Sequence, residues 1–128
     1  MQHVLALDIG TRRTGAAFAD VATGIPLPLE TIAHTSLKQL CDRVLVLCQE
    51  RSIDTILLGW PLLPSGKEGA QVKIVRKVQE ALTQAGLHVE VLDERYTTPR
   101  SGKIASDPDS AAACALLGVF LQRKGIGK

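Results

Sequence analysis

Aromatic side chains are scarce in this chain, at 3% of its 128 residues. That excludes the broad base-stacking platform of single-strand RNA-recognition modules. Cysteine is nearly as sparse: Cys41, Cys48 and Cys114 form no C-x-x-C pair, so neither a disulfide framework nor a thiolate metal site is expected. Cys41 and Cys48 are seven apart, on one face of a helix, and read as buried reduced thiols. Apolar runs are short and punctuated, and none approaches the ~20 residues that span a bilayer. The opening MQHVLALDIG has no basic leader, long apolar stretch or cleavage site, so a cytoplasmic protein without a secretory signal is expected. Charge of one sign is also lacking. The formal net charge of +2 does not by itself call for a nucleic-acid partner, although a local basic patch can still supply one.

What is present is a globular composition, with 45% hydrophobic and 22% charged residues and the length of one domain spanning 1–128. His3 to Asp8 reads as an apolar strand ending in a carboxylate. Thr14 to Ala19 reads as a second strand, and an extended piece from Pro26 to Ile32 as a third at a sheet edge. The period then turns helical over Leu37, Leu40, Cys41, Val44, Leu45, Leu47 and Cys48, with Ser36 and Gln39 as a capping box. Thr55 to Leu58 is apolar throughout, as in a strand buried on both faces. Ser65 with Glu68 reads as a second capping box, opening a helix striped by Val72, Val75, Val78, Leu82 and Ala85 that stops at Gly86. Val89 to Leu92 is the last strand. Asp107-Pro108 reads as N-cap and first-turn proline of a final helix, Asp109 to Gln122, lined with alanines. The order β-β-β-α-β-α-β-α predicts an α/β domain with a mixed sheet and helices on both faces.

Three carboxylates fall at element ends: Asp8 closes the first strand, Glu94 follows the last, and Asp109 lies in the first turn of the final helix. Converging carboxylate oxygens suit hard cations such as Mg²⁺ or Mn²⁺. Spacing alone also fits a turn residue before glycine and an acid favouring a helix dipole. In Asp8-Ile9-Gly10-Thr11-Arg12-Arg13-Thr14-Gly15, Gly10 allows a tight turn and Gly15 a close backbone approach. Arg12 and Arg13 match phosphate geometry through paired donors, or are simply solvated.

These residues belong to four blocks that together resemble the YqgF family of RNase H-like nucleases, also described as Holliday junction resolvase-like proteins. Leu5 to Ala17 resembles its opening D-x-G-x-[KR]-R-x-G-x-A. Leu58-Gly59-Trp60-Pro61-Leu62, continuing to Gly66-Lys67-Glu68-Gly69, resembles its G-x-P-L block. Leu92-Asp93-Glu94-Arg95-Tyr96-Thr97-Thr98 matches D-E-R-[LYF]-T-T, and Asp109-Ser110-Ala111-Ala112-Ala113 matches D-S-x-A-A. The resemblance implies an RNase H-like five-stranded sheet, three antiparallel strands followed by two parallel. It also implies a nuclease site of Asp8, Glu94 and Asp109 holding Mg²⁺ or Mn²⁺, as two ions ~3.5–4 Å apart when both sides of a phosphodiester are stabilised. The chemistry implied is processing of the 5′ end of precursor 16S ribosomal RNA, with resolution of branched DNA as the alternative.

Arg12, Arg13, Lys67 and Arg95 are the candidates for holding phosphates, and Arg95 equally fits orienting Glu94 or pairing with an acid. Trp60 stands where a smaller or aliphatic residue is expected, and either stacks on an unpaired base or packs under its loop. Pro99 to Pro108 is shorter than the family's usual stretch, which puts substrate grip in question and raises a homodimer that covers the exposed surface. Two other classes stay open. One is a catalytically inactive nucleic-acid-binding or ribosome-assembly factor acting at the small subunit. The other is an actin-like ATPase half, suggested by the Asp8-x-Gly10-Thr11 loop. His3, His34 and His88 have no supporting motif and read as structural or exposed.

Overall fold

The computed structural model describes residues 1–63, 65–93 and 108–126. Its strands are β1 (His3–Asp8), β2 (Arg13–Asp20), β3 (Leu27–Pro28), β4 (Ile32–Ala33), β5 (Thr55–Trp60) and β6 (His88–Asp93). Its helices are α1 (Leu37–Arg51), α2 (Ala70–Gln84) and α3 (Pro108–Arg123). The sheet runs β3-β2-β1-β5-β6, with β4 also on β2. β1 pairs antiparallel with β2 and parallel with β5, and β5 pairs parallel with β6. This is the mixed α/β sheet expected from the sequence.

Why β1 and β5 lie at its centre follows from their composition. Val4 to Leu7 and Thr55 to Gly59 are buried throughout, as strands covered on both faces must be. The pleat sends alternate side chains to opposite sides. Leu5, Leu7, Ile56 and Leu58 pack beneath α1 and α2 with Leu40, Val44, Val75, Val78 and Leu82. Val4, Ala6, Ala17, Ala19 and Leu57 pack beneath α3 with Cys114, Leu116, Leu117 and Phe120.

Two local readings need correction. The expected single third strand is two short pieces separated by a bulge. Phe18 pairs with Leu27 and Ala17 with Pro28, but Thr14 pairs with Ile32 and Arg13 with Ala33. Leu29, Glu30 and Thr31 therefore oppose only Gly15 and Ala16, one residue too many for a regular ladder. The second correction concerns α2, which begins at Ala70 with Gly69 as N-cap and no side-chain capping bond. Ser65 and Glu68 do not form its capping box. Glu68 pairs in an isolated bridge with Leu62, and its carboxylate accepts two bonds from Arg76 at 2.9 and 2.8 Å. The first box did form its cap: Ser36 Oγ accepts from the Gln39 N–H at 3.1 Å. The Gln39 Oε1 reaches back to the Thr35 N–H at 2.7 Å. Gly86, at φ +91°, ends α2 as expected.

Candidate nuclease site

Asp8 is the last residue of β1 and pairs with Gly15 of β2. Alternation along β1 puts it on the face of Val4 and Ala6, the one α3 covers. The carboxyl ends of the parallel strands β1, β5 and β6 all lie at this end of the sheet, where α/β proteins place their sites.

Asp109 reaches the same place through backbone contact. A Cβ added at Gly15 would fall on the Asp109 carbonyl group and reach the Ser110 nitrogen at 3.0 Å. Only glycine permits α3 to start so close to β2. Asp8 is thus paired with the residue over which the Asp109 backbone passes. Ser110, fully buried, fixes that first turn. Its hydroxyl donates to the Leu29 carbonyl at 2.6 Å and lies 3.2 Å from Thr31 Oγ1. Both partners belong to the bulge, so the irregular edge strand anchors the start of α3.

Arg13 begins β2 on the same face. Its Nε donates to Asp109 Oδ2 at 2.9 Å, with the two side chains 60% and 38% exposed. Gly10 sits beneath it, where an added Cβ would overlap the Arg13 carbonyl oxygen. Gln71, in the first turn of α2, donates from Nε2 to the Ile9 carbonyl at 3.0 Å and ties the turn after Asp8 to that helix. Behind β2, the fully buried Thr14 Oγ1 lies 2.9 Å from His34 Nε2. Burial lowers the His34 pKa, and its Nδ1 is buried with no hydrogen-bond partner among the described residues.

Arg12 is exposed in the turn after β1, and Lys67 is exposed in the loop after β5. Trp60 is half-buried on the opposite face of the sheet from Asp8, packed against the aliphatic core. The Arg76 guanidinium covers its ring at 5.4 Å from the centroid. Glu94 and Arg95, and the shortened stretch 99–107, lie outside the described residues, where β6 is followed as far as Asp93. Among the described residues no group of three or more His, Cys, Asp or Glu is placed to share a metal ion. The described part of the predicted site is therefore the pair Asp8 and Asp109. Sequence reasoning missed Gln71 and the Ser110–Thr31–Leu29 link, because each joins residues 62 or more apart in the chain. The family block containing Ser110 was its only signal.

A family model described as "RuvX: Holliday junction resolvase" matches residues 2–123. A "Putative pre-16S rRNA nuclease" of Chloroflexus aurantiacus is 31% identical over 96% of this chain and 88% of its own. Another of that description, from Polaromonas sp., is 34% identical over 95% of this chain and 89% of its own. Among solved structures, Thermus thermophilus RuvC in complex with a Holliday junction substrate aligns at a TM-score of 0.66 and 14% identity. That alignment covers 98% of this chain and 97% of RuvC. The Fowlpox virus resolvase aligns at 0.55 and 13%, covering 96% and 98%. These two likenesses speak for the fold.

Proposed function

From the premise that this chain belongs to the RuvX family, we propose that it is a divalent-metal-dependent nuclease that trims the 5′ end of precursor 16S ribosomal RNA. The observation that supports this reading is that Asp8, at the end of β1, pairs with Gly15, the residue over which the Asp109 backbone passes. Two aspartates brought to one end of the sheet favour catalysis over a binding module without it. The substrate follows the description shared by the curated relatives. A cytoplasmic location and contact with the small ribosomal subunit follow from that substrate. No described helix is long and apolar enough to cross a membrane.

The donor set fits a hard cation: both described acids offer carboxylate oxygen, the ligand that Mg²⁺ and Mn²⁺ prefer. Asp8, Asp109 and Glu94, the residue after Asp93, would hold it. A divalent cation bound there supplies acidification of water and neutralisation of charge on the departing oxygen. Arg12 and Lys67, exposed on the loops after β1 and β5, hold backbone phosphates, with Arg95 as a further candidate. Arg13 is bonded to Asp109. Trp60 braces the loop after β5 through Arg76 and Glu68, and base stacking at that position would require Arg76 to move.

The family description favours branched DNA as a second substrate. The test is cleavage of a labelled 16S 5′-leader RNA and a four-way DNA junction side by side, with Mn²⁺, with EDTA, and with Asp8→Asn. RNA cleavage that needs Mn²⁺ and is lost in the variant is the expected result. Junction cleavage alone keeps the site and changes the substrate. Binding of either without cleavage leaves an inactive factor, and sedimentation of the same protein decides between monomer and homodimer.

A further inference from the structure

Arg12 and Arg13 are chain neighbours, yet the fold gives them different surroundings. Arg12 lies in the turn, and its carbonyl accepts from the His34 N–H at 2.9 Å. Arg13 is in the ladder, paired with Ala33, and shares its face with Gly15, Ala17 and Ala19 beneath α3. Its guanidinium is turned so that Nε meets Asp109 Oδ2 at 2.9 Å. Backbone pairing on one side and the close fit of Gly10 beneath its carbonyl on the other leave the Arg13 main chain little room to shift.

We propose that Arg13 is an internal counter-cation to Asp109, holding its carboxylate and competing with the divalent ion for it, and not a phosphate contact. The inference rests on the metal-site reading above. The Arg13 guanidinium offsets negative charge at the Asp109 end of this site. A divalent ion arriving there meets a like charge beside the oxygen it needs. Arg13 is therefore a positioning residue: it keeps the Asp109 carboxylate oriented while the site is empty and tunes how tightly the ion is held.

The test is Mn²⁺ binding to the full chain without nucleic acid, followed by electron paramagnetic resonance, in wild type, R13Q, R13K, R12Q and D8N. R13Q is expected to bind Mn²⁺ about fivefold or more tightly, the scale of removing one nearby like charge at a surface site. R13K, which keeps the charge, should stay near wild type. R12Q should leave Mn²⁺ affinity unchanged and weaken RNA binding, with the salt slope falling by about one. An unchanged R13Q isotherm, with the weaker RNA binding and lower salt slope appearing in R13Q instead, makes Arg13 a phosphate contact and overturns this inference alone. A wild-type chain that takes up no Mn²⁺, indistinguishable from D8N, overturns the metal-site reading with it.

Discussion

Beneath α1 and α2 the sheet presents Leu5, Leu7, Ile56 and Leu58, whereas beneath α3 its strands β1 and β2 present, beyond Val4, the small Ala6, Gly15, Ala17 and Ala19. The first face gains stability from apolar volume. The second trades volume for closeness, letting the backbone of α3 approach β2 until Asp109 stands beside the end of β1. Side-chain size thus separates the face that holds the fold from the face proposed to hold the chemistry, and substitutions on the two should fail differently.

The largest loss of stability is expected on the aliphatic face. Leu58 is fully buried, and Leu58→Ala should cost about 2–5 kcal/mol in urea unfolding. Its folded fraction should bind Mn²⁺ with unchanged affinity. Gly15→Ala should cost about 1–3 kcal/mol by overpacking, but it must also push the Asp109 backbone away, so Mn²⁺ binding should fall with stability. If both variants lose stability alone, the contrast between the faces is broken. Ser110→Ala leaves the Leu29 carbonyl without its hydroxyl partner and should cost about 1 kcal/mol, with cleavage slowed at unchanged KM.

The smallest effect is one of pH. Because burial lowers the His34 pKa below 6.5, the folded chain favours the neutral ring. Its contribution to stability is complete above about pH 6.5 and is lost as pH falls below that value. The urea midpoint should drop between about pH 7.5 and 5, and His34→Gln should flatten that drop. An equal slope in the variant would mean that His34 does not titrate with folding.

Much of this was legible in the sequence because it is local. The alternation in His3 to Asp8, the stripe from Leu37 to Cys48, the Ser36 cap and the Gly86 stop each depend on residues a few positions apart. The Ser65–Glu68 box has the right spacing, but Glu68 is drawn to Arg76 two turns into α2, a stronger partner than a backbone N–H. The bulge at Leu29–Thr31 left no local mark beyond Pro26 and Pro28 just before it. Asp8 and Asp109 were placed together by family resemblance, since no spacing rule joins residues so far apart. The Arg13–Asp109 pair, 96 residues apart, was invisible for the same reason.

Asp8 and Asp109 are proposed to serve one cation. The direct measurement is a Mn²⁺ titration of wild type, Asp8→Asn, Asp109→Asn and the double variant, read by electron paramagnetic resonance. If the site is shared, each single substitution weakens the same binding event, and the double variant is much less impaired than the two effects added together. Strictly additive losses, or an Asp109→Asn isotherm that matches wild type, would contradict it.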